Sequence, residues 1–242
     1  MGIKDWFSRR KKKGPTEIGV SPGGSRLMKY PSGEPGGPRI GFTEESTLEL
    51  VQLRETVYGE LFGESDTVFH ELLPLVPHID VYRFQPSNGR DFYTFVTGGM
   101  SDLPMSSPKQ MGADVRRAEL VFYAADDGQE YAELLRSLAH FPHDNRTWLH
   151  WGHTMPNGNP PQPILDAQAL DTFLFLPTIV IADSELGKRL SWNGDPINLL
   201  WVVPISTTEC NLKLEHGTDA VFDLFDSHEH PCIWQGPRES YV

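Results

Sequence analysis

Four histidines, His140, His143, His150 and His153, form two pairs at three-residue spacing, with His150 seven positions after His143. Imidazoles at that density could bind zinc in an approximately tetrahedral site. The run contains no cysteine pair and no glutamate-bearing histidine pair of the zinc-hydrolase kind. A structural reading therefore stands beside the metal one. His140 falls at the end of a predicted helix, where partial protonation is favoured, His143 in the loop after it, and His150 and His153 in turn or binding-surface hydrogen bonds. A second group, His228, His230 and Cys232 with Cys210 upstream, has ligand-type side chains, but its spacing does not make them converge. Ser101 beside Asp102 lacks the pattern of a nucleophile elbow. Asp126 and Asp127 precede Gly128 as turn residues do, rather than as paired acids. The chemistry legible in the chain points away from catalysis, with metal-assisted hydrolysis at the His140–His153 run as the enzymatic alternative.

The elements that would carry these residues follow from periodicity. Residues 44–62 offer an imperfect helical stripe of Leu48, Val51, Leu53, Val57, Leu61 and Phe62, with Gly63 as a stop. Residues 79–84 and 92–97, rich in β-branched and aromatic side chains and separated by Ser87, Asn88 and Gly89, predict a hairpin. Residues 116–123 alternate Ala118, Leu120 and Phe122 against Glu119, Val121 and Tyr123, a strand with two faces. Glu119 is the anomaly: facing inward it needs a partner, Arg117 or a backbone donor, because an unpaired buried charge is costly. Tyr131, Leu134, Leu135, Leu138 and Phe141 predict a helix over 129–140 that Pro142 ends. Short strands are expected at 148–151, 173–176 and 199–203, the last closed by Pro204, and helices at 207–214 and 220–225. The sum is an α/β (α+β) fold, a mixed β-sheet covered by helices.

Composition sets further limits. A chain of 242 residues, 38% apolar and 11% aromatic, can bury a substantial core as one main domain. Residues 1–41 read as a basic start followed by a flexible Gly/Pro-rich tail, 42–230 as the domain and 231–242 as a loose C-terminal tail. Six of the 21 basic side chains lie in the first 13 positions, so the remainder carries 15 basic against 32 acidic ones. A body of that sign repels nucleic acid and attracts basic partners. Two cysteines, no apolar run long enough for a bilayer and no signal-peptide pattern lead to the expectation of a cytoplasmic protein. Ile3, Trp6 and Phe7 beside Arg9 to Lys13 suit at most a weak anionic-surface contact by residues 3–13.

The segments Phe92–Ser101 and Arg117–Tyr123 resemble the signature of suppressor-of-fused domains. The resemblance continues through the Leu134–Phe141 helix, Trp148–Thr154 and the Val202–Glu209 region, and covers roughly residues 45–226. It implies a mixed α/β regulatory or binding domain with no established catalytic centre or cofactor. Single-domain relatives of this kind look bacterial, and some have been proposed as immunity proteins against polymorphic toxins. The animal relatives have two lobes and grip a peptide strand between them. Phe141 matches an aromatic of that grip, while the position of its acidic residue falls at Gly152. Gly98 and Gly99 are expected to permit a tight turn, Met100 to fill the core and Glu119 to make a structural polar interaction.

The function expected on these grounds is a non-catalytic intracellular protein-binding module, in its most concrete form an immunity protein that occludes a basic toxin. A regulatory or scaffold module is the alternative. The partner-binding surface is expected at the end of the 129–140 helix and the loop after it, with Phe141, Trp148, Trp151 and His153 as its members.

Overall fold

The structure, a computed structural model, describes residues 14–31, 48–73, 75–178 and 180–242. A hairpin of β1 (Thr16–Val20) and β2 (Arg26–Lys29) precedes helix α1 (Leu48–Phe62). Strands β3 (Ser65–Phe69), β4 (Asp80–Phe84), β5 (Tyr93–Gly98) and β6 (Arg117–Ala124) follow, then helix α2 (Glu130–Asn145). After β7 (Thr154–Pro156) and β8 (Thr172–Pro177) come two short helices, α3 (Ile181–Ser184) and α4 (Leu186–Arg189). The chain continues through β9 (Ser191–Trp192) and β10 (Asp195–Ile205) to helices α5 (Thr207–His216) and α6 (Thr218–Ser227).

The main sheet runs β3-β4-β5-β6-β10-β8-β7, with β9 paired to β10. β3 to β6 form an antiparallel meander, β10 joins β6 in parallel, and β8 and β7 return antiparallel. This is the mixed sheet expected. β6 is buried along its whole length, and its alternation sorts the molecule into two cores. Ala118, Leu120 and Phe122 pack with Tyr131, Leu135 and Leu138 of α2. Val121 and Tyr123 pack with Leu50, Val57 and Tyr58 of α1 and with Val221 and Phe225 of α6.

The departures from the sequence reading have local causes. On α1 the buried stripe is Leu50, Arg54, Val57, Tyr58, Leu61 and Phe62, while Leu48 is 79% exposed. A count of apolar residues misses it because one member of the buried stripe is an arginine. Helix α2 passes through Pro142 instead of stopping before it. The proline sits in the last turn, removes one intrahelical donor there, and its carbonyl receives the capping N–H of left-handed Arg146. Residues 148–151 form no strand; the pairing begins at Thr154. Pro204 lies inside β10, beyond Trp201, where β10 has lost its β6 neighbour, the edge-like setting in which proline is tolerated.

Both supposed tails carry structure. Within the Gly/Pro-rich stretch, the β1–β2 hairpin forms around Ser21–Ser25; residues 1–13 and 32–47 lie outside those described. At the other end, Trp234 donates to the Tyr123 carbonyl and accepts from Ala125 N–H, taking the lane beside β6 that β10 vacates. Residues 231–242 are thus anchored rather than loose, because unpaired backbone groups at the end of β6 need partners.

Gly99 fixes the turn after β5. Its φ is 121°, and a Cβ would lie 1.9 Å from the His78 carbonyl oxygen. Gly98 serves differently, by close approach, since a Cβ there would meet the Tyr82 ring at 2.5 Å. Gly99→Ala is expected to cost about 3 kcal/mol or more in urea unfolding, whereas alanine at Gly89, where nothing lies within 4 Å, is expected to cost about 1 kcal/mol from its positive φ alone.

Candidate functional site

The most polar part of the interior is built around Glu119, which is fully buried. Thr97 Oγ1 donates to Oε2 at 2.6 Å, and Ser101 Oγ, Ser101 N and Gly99 N donate to Oε1 at 2.5, 3.0 and 3.1 Å. Arg54 Nη1 from α1 lies 3.4 Å from Oε1 and donates to Asp102 Oδ1 at 2.7 Å. Burial pushes the Glu119 carboxyl up, against the pull of Arg54, Ser101 and Thr97. Arg117 is not its partner: that side chain turns to Asp195 at 3.3 Å and to the carbonyls of Ser101 and Asp102 at 2.6 and 3.0 Å. The arrangement commits the Ser101 hydroxyl and the Asp102 carboxylate to the fold. Asp126 likewise receives Gly128 N–H and the Tyr131 hydroxyl, as a turn residue does.

The four histidines of the 140–153 run are not brought together. His140 Nε2 meets Glu71 Oε1 at 2.6 Å, and His143 Nε2 donates to the Met100 carbonyl at 3.0 Å. His150 stacks on Trp151, with ring centroids 5.1 Å apart, and His153 packs edge-on to Trp148. Among the described residues no three His, Cys, Asp or Glu side chains are placed to hold a metal ion. The second group is aromatic packing: His228 stacks on Tyr241, and His230 stacks on Phe225 with its Nδ1 3.0 Å from the Tyr241 hydroxyl. Cys210 and Cys232 are free thiols.

The four residues expected to form a partner surface separate by burial. Trp148 belongs to the α2-side core and is only 8% exposed, so it presents no face to a partner. Phe141 is half-buried and capped by the Tyr30 ring of the N-terminal segment, with centroids 5.3 Å apart. His153 is half-buried, and desolvation, with His150 and Lys213 adding to it, holds its imidazole down at about 4. Trp151 remains open at 48% exposure, three positions before the start of β7, which ends the sheet. Sequence reasoning missed Tyr30, and also Leu72 and Leu73, which project from the loop after β3.

The C-terminal segment is tied down by a second buried carboxylate. Glu209 closes a capping box with Ser206 at the start of α5. It also receives Arg238 Nη1 and Nη2 at 2.7 and 2.9 Å and Tyr241 N–H at 2.9 Å. Burial opposes its charge, but Arg238 and the backbone donors outweigh that and hold the group below the usual carboxylate range.

A match to the family described as suppressor of fused protein (SUFU) spans residues 76–239. The chain belongs to the suppressor-of-fused family. Among solved structures, this suppressor-of-fused domain aligns with a homolog from Neisseria gonorrhoeae at a TM-score of 0.58 and 16% identity, covering 81% of this chain and 98% of that one. It aligns with Drosophila Suppressor of Fused at a TM-score of 0.53 and 12% identity, covering 84% of this chain and 52% of that one. It therefore spans about half of the Drosophila protein. Comparison with curated protein sequences gives no significant match. No helix among the described residues is long and apolar enough to cross a membrane.

His153 and His230 are both held down at about 4 by burial, against an ordinary value of 6.5. Between those limits the unfolded chain binds protons that the fold refuses, so stability is complete above pH 6.5 and falls as pH drops toward 4. Urea unfolding at pH 4.5 is expected to show about 3 kcal/mol less stability than at pH 7, after discounting for partial exposure. Replacing both histidines with glutamine is expected to flatten that dependence.

Proposed function

We propose that this suppressor-of-fused domain is a non-catalytic protein-binding module that captures a basic protein, and that its role is immunity: steric occlusion of a toxin. The observation that carries the reading is Trp151, a large ring left open to solvent on an otherwise acidic protein and braced by His150. Exposed aromatics that are rigidly held make interface anchors, because little side-chain entropy is lost when they are covered. The excess of acidic over basic side chains, a formal net charge of −12, supplies a field that speeds encounter with a basic partner and disfavours acidic ones. The groups that resemble catalytic ones support the same view, since Ser101, Asp102 and Glu119 bond to one another or to Arg54 inside the fold.

The partner is to be sought as a basic effector encoded beside this gene, followed by co-purification and a toxicity challenge. Trp151→Ala is expected to weaken a one-to-one complex by about tenfold to a hundredfold while leaving Tm unchanged. Trp148→Ala is expected to cost about 3 kcal/mol of stability instead. Isothermal titration alongside thermal melts separates the two. Undiminished affinity in Trp151→Ala, or a genomic neighbourhood without an effector together with no specific partner, removes the immunity reading.

A further inference from the structure

β6 and β10 are the parallel pair of the main sheet, and the chain leaves their ends toward opposite faces. β6 leads to α2, whose Leu135 and Leu138 pack in one core, whereas β10 leads to α5 and α6, whose Cys210, Val221 and Phe225 belong to the other. Neighbouring parallel strands whose connections depart to opposite faces open a crevice at their carboxyl ends, the place where sheets of this kind bind ligands. Here the two strands stay paired as far as Val121 and Trp201. Beyond that point Trp234 of the C-terminal segment bonds along β6, while β10 continues against β8. A cavity of about 260 Å³ lies in the fork. Phe122 lines it from one core, Tyr123, Trp201 and Val203 from the other, and residues 230–238 complete the wall.

The lining sets the kind of molecule that fits. Much of the wall is flat rings, those of Phe122, Tyr123, Trp201, Trp234 and Tyr241, and such faces pack well against another aromatic ring. An apolar cavity of about 150 Å³ accepts benzene, so the larger volume here suits one or two fused rings. No Asp or Glu side chain is among the lining residues. Neither basic side chain of the wall offers a free charge. Arg238 is paired with Glu209 and lies over the Tyr241 ring, and burial holds His230 down at about 4, leaving its imidazole uncharged at neutral pH. Hydrogen-bonding capacity nevertheless remains. His230 Nδ1 meets the Tyr241 hydroxyl, but among the described residues His230 Nε2 and the indole N–H of Trp201, a side chain only 5% exposed, have no partner.

We propose that the fork between β6 and β10 is a binding site for a small, uncharged aromatic molecule of one or two rings that carries a hydroxyl group. The ring packs among the aromatic walls. The hydroxyl suits the two unused groups, because it accepts from the Trp201 N–H and can either donate to or accept from His230 Nε2. With walls from both strands and from the C-terminal segment, the bound molecule ties that segment to the sheet. The site is separate from Trp151 and does not depend on the protein-binding reading.

The probe for the test is 2-naphthol, titrated into the isotopically labelled full chain and followed by two-dimensional NMR. Saturable one-to-one shifts of the Trp201 and Trp234 indole N–H signals are expected, with a Kd below about 1 mM, together with a Tm that rises with probe concentration. Trp201→Phe, which keeps a ring and removes the N–H, is expected to weaken binding about fivefold to tenfold. Cys232→Phe, which fills the cavity from its wall, is expected to abolish binding without lowering Tm. Naphthalene-2-sulfonate, equally flat but charged, is expected to bind at least about tenfold more weakly than 2-naphthol. The proposal is overturned by an absence of saturable shifts, by shifts confined to the Trp151 indole, by undiminished affinity in Trp201→Phe, or by equal affinity for the sulfonate. Binding that survives in a folded Cys232→Phe chain also overturns it; where circular dichroism shows that variant unfolded, the Trp201→Phe affinity and the location of the shifts decide.

Discussion

A single buried carboxylate organises the centre of this protein. Glu119 stands on the middle strand of the sheet and can remain there only if its surroundings supply donors on every side. That requirement explains features far apart in the chain: an arginine in the buried stripe of α1, a glycine turn that points two backbone N–H groups inward, a threonine on the neighbouring strand and a serine in the short helical turn after it. The helix, the turn and two strands are each tied to this one carboxylate in addition to their apolar packing. Breaking any one contact leaves the others facing an under-compensated charge, so the cluster acts as a unit.

This has a consequence for how function is distributed. Polar side chains that suggest chemistry in the one-dimensional pattern are, in space, the internal scaffold. The C-terminal segment repeats the device with Glu209 and Arg238. Among the described residues, what the fold exposes includes an open tryptophan near the end of the sheet, on a chain with an excess of acidic side chains, and a hairpin laid over a lysine. Such a division suits a protein whose task is to hold another.

Much of the architecture was legible in the sequence because it rests on periodicity. The alternation on β6 correctly sorted Ala118, Leu120 and Phe122 from Val121 and Tyr123, and the Ser87-Asn88-Gly89 turn gave the β4–β5 hairpin. The inward placement of Glu119 was legible too, but its partner was not. Arg54 is 65 positions away, and no local rule pairs a helix arginine with a distant strand, whereas the adjacent Arg117 invited the wrong assignment. The candidate surface was harder. Trp148 and Trp151 are three positions apart with the same composition around them, and only the path of the loop decides that one enters the core and the other does not. The hairpin was hidden for a different reason: its glycines and prolines describe disorder in isolation, and its order comes with docking on a helix nearly 200 residues later.

The parallel pairing of β6 with β10 joins Arg117 to Ile197, eighty positions apart along the chain. On the ribosome, β3 through β6 emerge as a local meander that pairs at once, yet the far edge of β6 stays bare while the whole stretch carrying α2, β7 and β8 is made. During that interval a strand that is buried along its whole length in the finished fold exposes an unsatisfied hydrogen-bonding edge, the kind of template on which nascent chains join one another. Arg117 and Glu119 within that strand keep its sequence from being uniformly apolar while the edge waits, a local break in the pattern that favours misassembly.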